Sequence, residues 1–164
     1  MVHQITAIIG SQRAVSRLVG QFGPPTPTNL PYNLVIVPLN HRRLNLLREN
    51  QDGVYEGFTY LNCDLEAAII SEVGEEPVLY IETEYSGGMG AQGAALFAGG
   101  ILQWKQTAST NNQPVRLLSK TPISRGLAEL GVPPSLNRDE FDCVDLVRFR
   151  SLKDLGLEKW YNDD

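Results

Sequence analysis

The chain has 164 residues, of which 42% are hydrophobic and 20% are charged, and its formal net charge is −5. This composition is typical of a folded globular domain and excludes a chain that is disordered throughout. Because no run approaches the roughly 18 consecutive apolar residues of a membrane span, and no basic segment of a signal peptide opens the sequence, we expect one cytoplasmic domain over residues 1–164, frayed at 159–164, without membrane contact.

The first half of the sequence alternates predicted strands with predicted helices. After the capping residue Ser11, apolar residues continue at helical spacing, whereas the unbroken apolar run at 34–37 is typical of a strand buried on both faces. The predicted strands cover residues 3–9, 34–37 and 57–61, and the predicted helices cover residues 12–22, 41–49 and 64–73.

The second half opens with the most regular predicted strand, residues 78–85, whose alternation places Tyr80, Glu82 and Glu84 on one face. The other predicted elements are a hairpin near 94–104 that turns at Gly99-Gly100, a strand at 115–118, and a helix from Thr121-Pro122 to Gly131. Residues 139–150 fit a strand and a helix equally well. Together the elements predict an α/β or α+β fold, in which about four helices pack on a mixed β-sheet.

A glycine-rich segment follows the strand at 78–85. Gly88, Gly90 and Gly93 satisfy the spacing G-x-G-x-x-G of a dinucleotide site. However, too few residues separate Gly93 from the break at Gly99 for the crossover helix that such a site requires. We therefore interpret the segment as a turn or bulge between paired strands, which a ligand or a peptide could contact, and predict no cofactor.

Glu82 and Glu84 lie two residues apart on the predicted strand, so both side chains point the same way, with about 7 Å between their backbone positions. Such a pair could serve as general acid and base or hold a hard cation. The simpler alternative is a solvated face of the sheet. The residues that we predict to contact a ligand or partner are Glu82, Glu84, Tyr85, Gly87, Gly88, Gly90 and Gln92.

Several common sites lack their motifs in this sequence. The two histidines, His3 and His41, form no cluster with the cysteines at zinc-site spacing. The sequence contains neither G-x-S-x-G nor the phosphate-binding G-x-x-x-x-G-K-[ST]. Basic residues do not interleave with aromatic residues as on a nucleic-acid-binding surface. We therefore predict no metal and no nucleic-acid partner.

Three segments of the second half resemble an uncharacterised family of small bacterial proteins. Residues 82–92, 121–131 and 139–142 correspond to its motifs E-T-E-Y-F-G-G-x-G-x-Q, T-P-I-N-x-A-L-x-x-L-G-V and D-E-F-D. The chain departs from these motifs at Ser86, Ser124 and Gly126, where the family has Phe, Asn and Ala. The resemblance implies a bacterial source and one recurring architecture for these segments, but it implies no function.

Charge is distributed unevenly along the chain. Residues 1–48 contain five arginines and no acid, whereas residues 49–104 contain ten acids and no lysine or arginine. The two blocks could face each other or be solvated separately, or the acidic block could form a surface that meets a basic partner.

Three functional hypotheses follow from these observations. The first is a non-enzymatic binding or regulatory protein, similar in kind to immunity proteins, which acts through its acidic surface. The alternative is a small-molecule-binding protein or enzyme that uses Glu82, Glu84 and Tyr85 beside the glycine segment 87–93. The third is a structural subunit that forms a homodimer.

Overall fold

In the computed structural model, one six-stranded sheet and four helices make up an α+β fold among the described residues. These residues are 2–22, 26–39, 44, 53–86, 89–110, 121–136, 138–149, 151 and 154–155. The strands are β1 (Val2–Ser11), β2 (Thr28–Leu30), β3 (Leu34–Pro38), β4 (Val78–Ser86), β5 (Met89–Ala98) and β6 (Ile101–Ser109). The helices are α1 (Gln12–Phe22), α2 (Cys63–Glu72), α3 (Pro122–Glu129) and α4 (Glu140–Cys143).

The described strands are antiparallel throughout, in the order β2-β3-β1-β4-β5-β6. The helices that pack on a sheet are confirmed, but the prediction of a mixed sheet is wrong. Alternating strands and helices favoured parallel crossovers. Instead, α1 is followed by the hairpin β2–β3, and its second strand returns antiparallel to β1. Tyr32 and Asn33 turn this hairpin with positive φ angles of 63° and 58°.

The sheet carries an apolar core on each of its faces, because successive strand residues point to opposite sides. On the first face, face A, Ile8 and Tyr80 belong to a core that also contains the apolar stripes of α1 and α2. On the opposite face, face B, Leu79 and Ile81 belong to a core shared with α3 and the chain that follows it. The predicted double burial of the run at 34–37 is confirmed, since all of β3 is buried.

Side-chain caps begin the three longer helices. Ser11, Asn62 and Thr121 each accept a hydrogen bond from the backbone N–H three residues along, at 3.1, 2.8 and 3.3 Å. Such bonds satisfy N–H groups that have no partner within the helix. The caps at Ser11 and Thr121 confirm the predictions, and the helix predicted at 64–73 begins one residue earlier.

The predicted hairpin near 94–104 is confirmed as β5 and β6. Gly99 and Gly100 join these strands with φ angles of 63° and 75°. Two consecutive positive φ angles define the tight turn that matches the twist of paired strands, and glycine adopts them without steric strain.

The strand predicted at 57–61 is wrong. Residues 53–62 form a loop, the 53–62 loop, which is closed by an isolated antiparallel bridge between Val54 and Asn62. The physical reason lies outside the segment. Consecutive N–H groups of Thr59, Tyr60 and Leu61 all bond to one distant carboxylate instead of a neighbouring strand.

The C-terminal part of the described chain resolves the open prediction for 139–150. It forms the single turn of α4, followed by a 3-10 turn at Leu146–Arg148. The predicted helix at 41–49, apart from the buried Leu44, and the predicted strand at 115–118 lie outside the described residues, as does the tail at 159–164. The longest described helix has 11 residues, and none of the described helices could cross a membrane.

Candidate functional site

Glu82 and Glu84 both line a recess on face A, with a volume of about 40 Å³. Their environments nevertheless differ. Glu82, opposite Thr6 in β1 and Gly93 in β5, is only 7% exposed, whereas Glu84 is exposed to solvent. The strand alternation therefore places the two carboxylates side by side, but at different depths.

The carboxylate of Glu82 accepts four hydrogen bonds. Its Oε2 accepts from the N–H of Thr59 at 2.6 Å, and its Oε1 accepts from the N–H groups of Tyr60 and Leu61 at 2.9 and 3.0 Å. The fourth donor is the hydroxyl of Tyr80, at 2.5 Å from Oε1. Hydrogen bonds to a charged acceptor are the stronger kind, so Glu82 anchors the 53–62 loop to the sheet.

The Tyr80 hydroxyl has a fixed protonation state in this arrangement. Burial raises the pKa of Tyr80 well above its ordinary value, and the charge of Glu82 raises it further. Tyr80 therefore donates its proton to the hydrogen bond with Glu82 and does not act as a base. Glu82, which the sequence analysis proposed as a ligand-contacting acid, therefore bonds to donors that belong to the fold itself.

The 53–62 loop lies directly on the sheet because two glycines leave space for it. A Cβ at Gly93 would lie 2.6 Å from the ring of Phe58, and a Cβ at Gly57 would lie 2.3 Å from the hydroxyl of Thr107. Both distances are shorter than a side chain could tolerate. Gly93 therefore serves close packing beneath the loop.

Tyr55 fastens the beginning of the same loop. Its hydroxyl donates a short hydrogen bond to Glu66 in α2, and the ammonium of Lys105 lies 4.1 Å from the centre of its ring. The hydrogen bond to Glu66, with a smaller contribution from burial, raises the pKa of Tyr55 to about 12.

Strand alternation directs Tyr85 and Gln92 to face B, although Gln92 borders the recess beside Glu82 and Tyr85 borders the groove beside Glu84. The Gln92 amide donates to the Tyr85 hydroxyl at 2.8 Å, and its oxygen accepts from the N–H of Ile123 at 3.0 Å. Burial raises the pKa of Tyr85, and the hydrogen bond with Gln92 partly offsets that rise. Gln92 therefore ties the β4–β5 pair to the first turn of α3.

The described part of the glycine segment lies within a paired strand rather than in the predicted turn or bulge. Gly90 and Gly93 lie in β5, opposite Tyr85 and Glu82 of β4. Gly90 has a φ angle of 149°, and a Cβ there would lie 1.9 Å from the carbonyl oxygen of Glu84. Close approach of two strands requires this glycine. Gly87 and Gly88 lie outside the described residues.

A larger groove of about 470 Å³ lies at the end of the sheet beyond Glu84. It is lined by Gln4, Glu84, Tyr85, Ser86, Met89, Gly90, Ala91 and Ser109. Met89 is 64% exposed there. The sequence analysis missed Gln4, Met89 and Ser109. Strand pairing in the structure brings Gln4 beside Glu84, and no local pattern in the sequence indicates that proximity.

The basic and acidic blocks of the sequence meet at the start of α1. Ser11 donates a hydrogen bond to Glu76 at 2.7 Å, and Arg13 lies 3.7 Å from the same carboxylate. Glu72 and Glu75 line a cleft together with Arg13 and Arg17. In this cleft the two blocks partly compensate each other, whereas no Lys or Arg of the described part of the chain lines the groove beside Glu84.

Comparison of the chain with protein-family models, curated proteins and solved structures finds no match. The resemblance to small bacterial proteins therefore stays a prediction. Among the described residues, no group of three or more His, Cys, Asp and Glu side chains could hold a metal ion. The site that the predicted residues form is thus a partly anchored carboxylate pair beside an open, anionic groove.

Proposed function

We propose that this protein is a non-catalytic binding protein, which meets a basic partner protein through the acidic surface of residues 49–104. The proposal depends on one observation: Glu56, Glu75 and Glu84 are exposed, and their side chains have no bonding partner among the described residues. The segment contains ten acids and no lysine or arginine. Exposed carboxylates without a bonding partner attract a basic surface and disfavour an acidic one.

Other acids of the same segment contribute less to such a surface, because groups of this chain already bind them. Glu66 accepts from Tyr55, Glu76 accepts from Ser11, and Glu82 is enclosed by four donors. The proposed contact surface is therefore the unbonded subset of the acidic block. This selection makes the proposal testable by substitution.

The alternative hypothesis, a small-molecule binder or enzyme, has less support in this geometry. Both oxygens of Glu82 are occupied by hydrogen bonds, and the Tyr85 hydroxyl accepts one from Gln92. The recess beside Glu82 measures about 40 Å³, whereas typical ligand pockets measure about 300–1,000 Å³. The groove of about 470 Å³ that Glu84 and Tyr85 line lies in that range, but Glu84 is the one acid among its described lining residues, so the predicted acid–base pair is not formed there. A binding role needs neither a free Glu82 nor a deep pocket.

A regulatory role of the immunity type agrees with this surface. Small acidic proteins can inhibit a basic protein by covering the surface that binds its target, without any chemistry of their own. This step is an analogy of function rather than of fold. It identifies the partner only as a protein with an exposed basic surface.

Affinity capture at low and at physiological salt tests the proposed function. The wild-type protein is compared with a variant that carries Glu56→Gln, Glu75→Gln and Glu84→Gln. A recovered protein is then purified and its affinity is measured directly in a binary mixture. We expect the triple variant to bind at least about tenfold more weakly, a loss of about 1.4 kcal/mol.

The matched control changes net charge by the same three units at exposed positions outside the acidic block, through Thr26→Lys, Asn29→Lys and Leu136→Lys. We expect this control to retain most of the wild-type affinity. Recovery of no partner at low salt, or equal weakening by both triple variants, would contradict the proposed function.

A further inference from the structure

Face A changes character along its length. Near Ile8 and Tyr80 it is apolar and packs with α1 and α2. At Glu82 the 53–62 loop lies over it. Beyond this loop, the register places a last group of side chains on the same face. We name these residues the sheet-end platform: Gln4, Glu84, Ser86, Met89, Ala91 and Ser109.

The sheet-end platform combines three features of a protein-contact surface. Gln4, Glu84 and Ser86 are exposed, and their side chains have no bonding partner among the described residues. The thioether side chain of Met89 is 64% exposed beside them. Methionine adapts to different partners and is enriched in interfaces. Ala91, between these residues, has only a methyl group, so the surface is accessible to another chain.

Charge indicates which partner would fit. Among the described residues, the groove that the platform lines contains the carboxylate of Glu84 and no Lys or Arg. Glu82, in the adjacent recess, is buried and enclosed by four donors, so Glu84 is the acid that faces a partner. By contrast, Arg13 and Arg17 line the cleft that contains Glu75. The platform is therefore the less compensated of the two acidic regions.

We infer that the sheet-end platform docks an extended basic segment of a partner protein, with a lysine or arginine against Glu84 and an apolar side chain against Met89. The inference rests on the proposed function and specifies its contact. In an extended segment, side chains two residues apart point to the same side at a spacing of about 7 Å. A cation and an apolar group can therefore contact the platform together.

The probe is a fluorescein-labelled nonapeptide that alternates glycine with lysine or leucine, and its control carries glutamate in place of lysine. Fluorescence anisotropy at low salt measures the affinity of each. Amide shifts in ¹H–¹⁵N spectra report the contact surface. We expect the lysine peptide to bind and to shift the amides of Gln4, Glu84 and Ala91, and we expect the glutamate peptide not to bind.

Two charge reversals provide the matched comparison. Glu84→Lys lies on the platform and Glu129→Lys lies on α3, on the opposite face of the sheet, and both residues are exposed and change the net charge equally. We expect Glu84→Lys to weaken lysine-peptide binding at least about tenfold and Glu129→Lys less than about twofold, because close contacts depend on position whereas long-range attraction does not. Met89→Ser should weaken binding about threefold. Urea unfolding verifies that each variant folds.

Other outcomes would contradict the platform, its inferred occupant or the proposed function. Binding with amide shifts confined to the cleft would overturn the platform and leave the proposed function standing. If no peptide binds while a captured partner still binds the wild-type protein, the platform inference is also wrong and the proposed function stands. If neither the peptide nor any partner protein binds, both the platform inference and the proposed function are wrong. Concentration-dependent dimerisation that Glu84→Lys abolishes would overturn the inferred occupant, because it would assign the platform to a second copy of this chain.

Discussion

At the scale of single residues, the four hydrogen bonds to Glu82 predict that this carboxylate is a principal source of stability. Glu82→Gln keeps the size of the side chain, but replaces one acceptor oxygen with an amide NH₂ group that faces N–H donors. An unsatisfied buried donor costs about 1–3 kcal/mol, and hydrogen bonds to charged groups are the stronger kind. We therefore expect Glu82→Gln to lower the free energy of unfolding by about 3 kcal/mol, measured by urea denaturation.

Glu84→Gln is the control for that experiment, because it makes the same chemical change two residues along at an exposed position without hydrogen bonds among the described residues. Surface substitutions of this kind usually change stability by less than about 0.5 kcal/mol. Equal urea midpoints for the two variants would show that Glu82 does not anchor the 53–62 loop.

Three tyrosines give stability a dependence on alkaline pH. The hydrogen bond to Glu66 is the main cause that raises the pKa of Tyr55 to about 12, and burial raises the pKa values of Tyr80 and Tyr85. The unfolded chain releases these protons near pH 10, whereas the folded protein retains them. Their contribution is therefore complete below about pH 10, and the free energy of unfolding falls as the pH rises towards 12.

Urea denaturation between pH 9 and about pH 11.5 measures this fall. Tyr55→Phe should make the fall shallower, because it removes one of the three groups responsible. Tyr32→Phe, at a residue that is 48% exposed, should leave the fall unchanged. The assignment to Tyr55 is wrong if both variants retain the wild-type pH dependence.

At the scale of secondary-structure elements, α3 approaches the sheet closely enough to require glycine at 126. A Cβ on Gly126 would lie 2.2 Å from Cδ1 of Leu79 and 3.0 Å from its Cγ, and Leu79 is fully buried. Overpacking costs about 1–3 kcal/mol, while alanine favours a helix by about 1 kcal/mol over glycine. We expect Gly126→Ala to lower the free energy of unfolding by about 1 kcal/mol.

A double-mutant cycle tests the cause of that loss. Leu79→Val shortens the side chain that the added methyl group would strike, so the double variant should be more stable than the sum of the two single losses predicts. Gly74→Ala is the control, because nothing lies within 4 Å of a Cβ at that position. Additive losses in the cycle would show that Leu79 is not the obstacle.

The elements that the sequence predicts well are those determined by local signals. Ser11, Thr121-Pro122 and Gly99-Gly100 mark helix starts and a hairpin turn through bonds and angles within a few residues. The strand at 57–61 was wrong because its N–H groups bond to Glu82, about 22 positions further along the chain. Period-two alternation likewise indicated the shared face of Glu82 and Glu84, but not the loop that covers the first and leaves the second exposed.

Local sequence patterns also did not reveal that the predicted site residues are divided between the two faces of the sheet. Tyr85 and Gln92 were grouped with the glutamates because they are neighbours in sequence, yet strand alternation directs Tyr85 to face B. The bond from the N–H of Ile123 to Gln92 joins residues 31 positions apart. Pairing across strands also adds Gln4 to the groove from 80 positions earlier in the chain. Strand pairing in the folded sheet creates these distant contacts, so patterns within a few residues of the sequence do not predict them.

At the scale of the whole molecule, one sheet separates two cores that depend on the same strands. Adjacent residues of β4 illustrate this, because Tyr80 belongs to the core of face A, and Leu79 and Ile81 belong to that of face B. Neither core can lose these strands without exposing the other. We therefore expect the two cores to unfold together, in a single cooperative transition.

One local probe and one global probe together measure whether the two cores unfold together. Trp104 packs against the core of face B, so its fluorescence in a Trp160→Phe background follows that side, whereas far-ultraviolet circular dichroism follows the helices of both. We expect one urea midpoint for both probes in the wild-type protein and, shifted downward together, in Glu82→Gln. Since Glu82 acts on face A, a circular-dichroism transition that moves while the Trp104 transition does not would show that the sheet fails to couple its two cores.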